Sequence, residues 1–149
     1  MKHTKSHNGF TLIELIIVMV ILGIMAAVAV PRYLDSISNA EESAEDAVIS
    51  AIRSGLRQAA NDSLYTNGRA SWPNNPFDVL SEKPAGYNPE NGSVANQDGE
   101  WTFMDNQTGG FITHQRADNS RYVWQYNKGT QDGDNAEIGS ILPREVSEF

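Results

Sequence analysis

The sequence predicts an α+β fold in which one long N-terminal helix packs on a small antiparallel β-sheet. Three observations carry this prediction. Residues 10–30 form an apolar run, and residues 31–66 continue it with apolar residues at helical spacing. The remainder, residues 67–149, alternates apolar and polar residues between turn sequences and contains all three tryptophans and five of the six prolines.

The composition excludes several classes of function. The chain has 149 residues, a net charge of −8 and no cysteine. This length predicts one domain with appendages. No nucleic-acid partner is expected, because contacts to phosphate backbones depend on clustered Lys and Arg, and the arginines here are scattered. Without cysteine there is no disulfide, no thiolate metal site and no thiol nucleophile.

The apolar run 10–30 is interrupted only by Thr11, Glu14 and Gly23. As a helix it spans about 30 Å, which matches the hydrocarbon core of a bilayer. Residues 1–9 contain two lysines and no acidic residue. Positive charge on this side predicts that residues 1–9 face the cytoplasm and that the C-terminus lies outside it.

Glu14 separates three interpretations of this segment. A secretory signal peptide is removed after the apolar run, near residues 27–29, whereas a plain membrane anchor is retained whole. In a third interpretation, the chain is cleaved between Gly9 and Phe10 and the apolar run is retained. We favour the third, because the new α-amine of Phe10 then supplies a cation four residues from Glu14, and the apolar run itself contains no Lys or Arg. An unpaired carboxylate in a spanning helix costs roughly 2.5–3.5 kcal/mol at mid-membrane.

The sequence Gly9-Phe10-Thr11-Leu12-Ile13-Glu14, followed by an uninterrupted apolar helix, resembles the prepilin signature of type IV pilins and type II secretion pseudopilins. The resemblance covers roughly the first third of the chain. It implies that a prepilin peptidase cleaves after Gly9 and that the new amine of Phe10 is N-methylated. It also implies that Glu14 pairs with the Phe10 amine of a neighbouring subunit during assembly on an inner-membrane platform.

Pro31 lies where pilins carry a helix-kinking proline. Proline removes the hydrogen bond to the carbonyl of Ala27, so the resemblance and the backbone chemistry both predict a bend or a loosened turn. The alternative is that Pro31 begins a separate helix after an unrelated anchor.

Beyond Pro31 the pattern predicts an amphipathic helix that ends at Asn67-Gly68. Its apolar face is predicted to contain Tyr33, Leu34, Ile37, Ala40, Ala44, Ala47, Val48, Ala51, Ile52, Leu56, Ala59, Ala60 and Leu64. The opposite face is predicted to carry Asp35, Glu41, Glu42, Glu45, Asp46, Arg53, Arg57 and Asp62. We interpret the acidic run from Glu41 to Asp46 as solvated, with a lateral contact to a basic patch of another subunit as the alternative.

The β-rich head, residues 67–149, contains a short capped helix at Asn75–Leu80. Segments Glu100–Met104, Phe111–His114 and Tyr122–Tyr126 predict a three-stranded antiparallel meander. We expect the amphipathic helix to close one face of this sheet, because each element then covers the apolar surface of the other. The fold is therefore predicted to be pilin-like.

A second, weaker resemblance concerns the head. The arrangement of Trp72, Asn75-Pro76-Phe77, Pro84, Gly86-Tyr87 and Trp101-Thr102-Phe103 is similar to minor pilins of the mannose-sensitive haemagglutinin pilus type. The chain departs from many major pilins in lacking the cysteine pair that pins their C-terminal loop.

Few residues suggest bound ions or catalysis. Asp132, Asp134, Asn135 and Glu137 form a weak calcium candidate, and we favour a solvated turn there. His114 is predicted to be an ordinary strand residue, with no carboxylate pattern nearby to support a zinc or catalytic role. No catalytic constellation is evident, so the sequence predicts no enzyme activity, no cofactor and no resident metal.

The predicted function is that of a structural subunit, a pilin or pseudopilin, in a type IV pilus-like filament. The subunit is expected in the bacterial inner membrane before assembly and in a periplasmic or surface filament afterwards. The alternative is a membrane-tethered or pilus-tip binding module that uses exposed aromatic residues such as Trp72 or Tyr87. The sequence leaves open whether the filament is a pilus, a secretion pseudopilus or a competence fibre, and whether the subunit is major or minor.

Overall fold

The computed structural model describes residues 9–106, 109–128 and 139–147. Helix α1 runs over Leu12–Asn67, and a 3-10 helix follows over Pro76–Val79. The strands are β1 (Trp101–Asp105), β2 (Gly109–Gln115), β3 (Arg121–Asn127), β4 (Ser140–Ile141) and β5 (Glu145–Val146). The chain divides into two compact units, Met1–Glu42 and Ser43–Phe149, which are described separately below.

The predicted long helix is confirmed. α1 contains 56 residues and includes Pro31, so the alternative in which Pro31 begins a separate helix is wrong. The bend at Pro31 stays a prediction. α1 ends where the sequence indicated, because Gly68 adopts the left-handed φ of 72° and donates its N–H to the carbonyl of Leu64.

In the first unit the apolar side chains of α1 are exposed. This holds throughout residues 10–30, and also for Tyr33, Leu34 and Ile37. These last three were expected to lie on the packed face of the amphipathic helix, and that expectation is wrong. The apolar side chains of α1 from Leu12 to Ile37 therefore have no cover within the described part of this unit.

In the second unit α1 buries one narrow stripe, formed by Glu45, Ile49, Ile52, Leu56 and Ala60. Ala44, Ala47 and Ala51 were expected on the packed face, but they are exposed. Burying an Ile or Leu side chain contributes about 1.5–3 kcal/mol and burying an alanine far less, so the larger residues determine which way the helix faces. The stripe that they define includes Glu45, which was expected on the solvated side.

The sheet contains the predicted meander. β1, β2 and β3 are antiparallel neighbours, with Trp101 opposite His114 and Ile112 opposite Trp124. β4 and β5 both pair with β3, through Tyr126–Ile141 and Tyr122–Val146 respectively. These two strands were not predicted, because two residues are too few to show an alternating pattern.

One face of the sheet packs against the buried stripe of α1. The core consists of Ile49, Ile52, Leu56, Phe77, Trp101, Ile112, Trp124, Tyr126 and Ile141. The rings of Trp101 and Trp124 stack with centroids 5.6 Å apart. Phe77 enters this core from the 3-10 helix, which Asn75 caps by accepting the Phe77 N–H at 3.0 Å, as the sequence predicted.

Candidate functional site

The N-terminal end of α1 holds two polar residues that bond to each other. The backbone N–H and the hydroxyl of Thr11 each donate to Oε2 of Glu14 at 2.8 Å. In return, the Glu14 N–H lies 3.3 Å from the Thr11 hydroxyl oxygen. This is a capping box, in which a Thr at the helix cap and a Glu three residues later satisfy each other's polar groups.

The capping box gives Glu14 donors within its own chain. Thr11 was not among the residues predicted from the sequence, although Thr-x-x-Glu before an apolar run is the recognised pattern for this arrangement. The Thr11 donors both bond to Oε2. A carboxylate offers about four acceptor positions, so Glu14 retains the capacity to accept from a further donor.

Gly9 and Phe10 precede the helix and are accessible. The Phe10 side chain is 95% exposed, and no atom of the described residues would lie within 4 Å of a Cβ at Gly9. The leader residues 1–8 lie outside the described residues. By length and composition, α1 contains a stretch that could cross a membrane, and that stretch is near the N-terminus. Phe10 and the bonded pair Thr11 and Glu14 thus lie at the start of this stretch.

A second polar site lies inside the second unit, around the carboxylate of Glu45. Arg116 donates through Nε to Oε1 and through Nη2 to Oε2, both at 2.7 Å. His114 Nδ1 lies 2.9 Å from Oε1, and Arg144 Nη1 donates to Oε2 at 3.0 Å. The Arg116 guanidinium also lies 4.1 Å above the centre of the Tyr122 ring. A bidentate pair with Arg116 and two further donors thus surround one carboxylate.

The Glu45 carboxylate is ionised at neutral pH. Burial alone raises the pKa of Glu45, but hydrogen bonds from Arg116, His114 and Arg144 and the charge of Arg116 outweigh it and lower the pKa to about 2. Because the side chain has no exposed surface, the fixed cations and donors replace its water. This network joins α1 to β2 and to the segment between β4 and β5.

The Glu45 network corrects two expectations from the sequence. Glu45 was placed on a solvated face, yet it is fully buried. His114 does lie in a strand, as expected, but the absence of a carboxylate partner was wrong. One signal was available, because Glu45 precedes the buried Ile49 by four residues and therefore shares its side of the helix.

The other residues considered from the sequence do not form a site. Trp72 and Tyr87 are half-buried and pack against the core, and Tyr87 accepts a hydrogen bond from Asn75 at 2.7 Å. The calcium candidates Asp132, Asp134, Asn135 and Glu137 lie outside the described residues. Elsewhere in the described chain, no three His, Cys, Asp or Glu side chains come together as metal ligands would.

A long N-terminal helix, apolar and exposed in its first half and packed on an antiparallel sheet in its second, defines a pilin-like subunit. Comparison with known proteins agrees. The family described as prokaryotic N-terminal methylation motif matches residues 4–30. The type IV narrow pilus major component PilA5 of Thermus thermophilus is 37% identical over 101 residues, which cover 68% of this chain and 74% of PilA5.

Other relatives match a shorter part. The type IV major pilin protein PilE1 of Neisseria gonorrhoeae is 45% identical over 75 residues, or 50% of this chain and 32% of PilE1. A fimbrial protein of Pseudomonas aeruginosa is 32% identical over 75 residues, or 50% of this chain and 49% of that protein. No solved structure matches the chain. The chain belongs to the type IV pilin family, and it is a structural subunit of a type IV pilus-like filament.

Proposed function

We propose that this pilin is made as a membrane-anchored precursor, cleaved between Gly9 and Phe10, methylated on the Phe10 amine and assembled into a surface pilus. A prepilin peptidase that also methylates is the processing partner, and an inner-membrane platform supports assembly. The observation that carries the proposal is the exposure of every apolar side chain in residues 10–30. Such a surface needs lipid or other apolar helices around it.

The same apolar segment serves two environments in this proposal. Before assembly, lipid covers the side chains of residues 10–30, and residues 1–9 remain in the cytoplasm. In the filament, the equivalent segments of other copies cover them. Each Leu or Ile side chain kept from water contributes about 1.5–3 kcal/mol, so leaving the bilayer is feasible only if neighbouring helices provide comparable cover.

Glu14 sets the register between subunits. Methylation leaves the Phe10 amine cationic, and the amine of one subunit pairs with the Glu14 carboxylate of a neighbour. The Thr11 donors support this role, since they hold Oε2 of Glu14 at the start of the helix while leaving acceptor capacity for the incoming cation. A carboxylate already partly satisfied in the single subunit is also less costly to keep in the membrane before assembly.

The subunit catalyses no reaction in this proposal. Cleavage and methylation are performed on it by the peptidase. Its relatives are named as pilus, pilin or fimbrial proteins, which supports a surface pilus over a secretion pseudopilus. The region outside the cytoplasm is the head, residues 67–149, with the amphipathic half of α1, residues 31–66.

The test is the intact mass of the full chain recovered from membranes and from sheared filaments. We expect a chain that begins at Phe10 and is heavier by one methyl group. Glu14→Ala is expected to be cleaved normally but to be depleted from filaments by at least about tenfold, the loss of roughly 1.4 kcal/mol. Asp35→Ala, an exposed acidic residue later in α1, is the control and should assemble normally.

Two results would contradict the proposal. A mature chain beginning near Val30 would mean ordinary export and would leave Glu14 without its role. Normal incorporation of Glu14→Ala would show that the carboxylate does not pair with a neighbouring subunit, even if cleavage occurs after Gly9.

A further inference from the structure

A cationic cleft lies in the second unit, between one side of α1 and residues 139–141 of the head. It has a volume of about 250 Å³ and is lined by Arg53, Arg57, Gly139, Ser140 and Ile141. Arg53 is held in place because its Nη2 donates to the carbonyl of Ile141 at 3.1 Å and lies 3.4 Å from that of Leu142. The cleft therefore has one fixed guanidinium group and, one helical turn further on, a second from Arg57.

Arg57 is exposed, and within residues 9–106, 109–128 and 139–147 its guanidinium has no hydrogen bond or ion pair. The chain as a whole carries a net charge of −8. The pair of arginines beside this open cleft thus makes the local charge positive, whereas the chain as a whole is acidic. Guanidinium groups bind carboxylates in preference to other common protein groups, so the chemistry of the cleft suits an Asp or Glu side chain.

Asp46 lies on the same side of α1 as these arginines. At 3.6 residues per turn, the seven residues from Asp46 to Arg53 and the eleven to Arg57 are close to two and three whole turns. Asp46 is exposed, although the adjacent Glu45 is buried. One flank of the helix therefore presents a carboxylate at one level and two guanidinium groups at the next.

These groups cannot meet within one chain. The rise of 1.5 Å per residue separates Asp46 from the two arginines by about 10–16 Å along a rigid helix. Two copies with parallel helices, displaced by that distance along the axis, bring the carboxylate of one beside the guanidinium groups of the other. Because the carboxylate and the guanidinium groups lie at different levels of one flank, each copy can pair with one copy above and one below when these flanks face a common axis, and the contact then repeats without closing, as a filament requires.

We infer that the Asp46 carboxylate of one subunit docks at the Arg53/Arg57 cleft of the next subunit in the filament. This inference rests on the proposed function, in which all subunits point the same way. A single exposed ion pair contributes little to affinity, but its repetition fixes the axial displacement and opposes wrong registers. Asp46 belongs to the acidic run from Glu41 to Asp46. The alternative interpretation of that run was a lateral contact with a basic patch of another subunit.

Charge reversal in the full chain tests the inference. Arg57→Glu and Asp46→Arg each place like charges together, and each should lower the yield of sheared filaments by roughly fivefold or more. The double variant Asp46→Arg/Arg57→Glu restores an opposite-charge pair between positions 46 and 57 of neighbouring copies, while Arg53 stays cationic, and should recover part of the yield. Arg69→Glu and Asp62→Arg repeat the same changes in net charge, and Asp62 lies about 160° around the helix from Asp46. Both controls should assemble normally.

The absence of cysteine allows a direct readout. In Asp46→Cys/Arg57→Cys filaments, a bismaleimide cross-linker should join successive subunits into a ladder of covalent multimers, and either single variant should give none; the cross-linker spans the length of an Asp–Arg ion pair, whereas a disulfide needs Cα atoms within about 7 Å. The inference is overturned if the double reversal yields no more filament than the worse single variant, or if no ladder forms. It is also overturned if Arg57→Glu lowers the level of the subunit in membranes, because the cleft would then serve the fold of the single chain. Failure of the proposed function is distinguishable, since the unmodified chain would itself be absent from filaments.

Discussion

The two parts of α1 treat their apolar residues in opposite ways. Before Ser43, apolar side chains around the whole circumference of the helix are exposed. After it, one stripe only is buried, and the sheet of the same chain covers it. The difference shows that one continuous helix can hold two kinds of surface: the first needs partners outside the chain, and the second has its partners within it.

The two glutamates differ in the same way. Glu14 bonds with Thr11, three residues away, so its donors exist as soon as one turn of helix forms. Glu45 depends on His114, Arg116 and Arg144, which lie 69, 71 and 99 residues later. The first arrangement survives a change of surroundings, whereas the second exists only when the head is folded.

The largest expected difference between the two parts of α1 is the loss of stability when Glu45 is replaced. Glu45→Ala leaves the Arg116 and Arg144 guanidinium groups beside an empty site, and we expect the free energy of unfolding to fall by about 3–5 kcal/mol. Chemical denaturation of the full chain in detergent, followed by tryptophan fluorescence of the head, measures it. Asp46→Ala, at the adjacent exposed position, should change it by less than about 0.5 kcal/mol. Equal effects at the two positions would disprove the structural role of the network.

A second test compares isoleucines in the two parts of the helix. Ile52 is fully buried, so Ile52→Ala should destabilise the head by about 2–5 kcal/mol. Ile21 is exposed in the apolar run, so Ile21→Ala should leave head unfolding unchanged and act only on filament yield. Head destabilisation by Ile21→Ala would show that the apolar run contributes to the fold of the single chain.

The third test uses acid. The lowered pKa of Glu45 means that its contribution is fully present above the ordinary value of 4.5 and is lost as the pH falls towards about 2. The loss should be on the order of 3 kcal/mol for a shift of this size. Denaturation between pH 5 and pH 2 measures it. Glu45→Gln is the control, because its stability should fall less steeply over the same range, and an identical slope would contradict the assignment.

The smallest expected effect compares two glycines of α1. A Cβ at Gly55 would lie 2.5 Å from Cγ2 of Val79, whereas none would meet an atom within 4 Å at Gly23. Gly55→Ala should therefore destabilise the head by about 1–3 kcal/mol, although alanine favours helices. Adding Val79→Ala should recover part of the loss, and Gly23→Ala should not affect head unfolding. Stabilisation by Gly55→Ala alone would rule out the close approach.

Periodicity carried most of the fold prediction. The apolar spacing of α1 and the alternation in β1 to β3 are local signals, so the helix, its end at Gly68 and the meander could be predicted. β4 and β5 could not, because two-residue strands have no pattern of their own. The extent of the packed face also failed, since the spacing of apolar residues does not reveal where a covering sheet begins.

The candidate sites also differ in whether their residues are close together in the sequence. Gly9, Phe10 and Glu14 belong to one short local signature, so the sequence could predict them as a site, and their roles stay predictions. The Glu45 network could not, because its cationic members come from distant segments and scattered arginines resemble ordinary surface residues. Thr11 is an intermediate case, since its Thr-x-x-Glu pattern is local and readable, but a neutral hydroxyl and a backbone N–H carry no charge that would mark them as partners of Glu14.

The spacing of the Glu45 network also determines the order in which the chain can mature. During synthesis, Glu45 leaves the ribosome 99 residues before Arg144. At about 5–20 residues per second, the carboxylate waits roughly 5–20 s before its last partner exists. The head therefore cannot reach its final stability before Arg144 has been added to the chain.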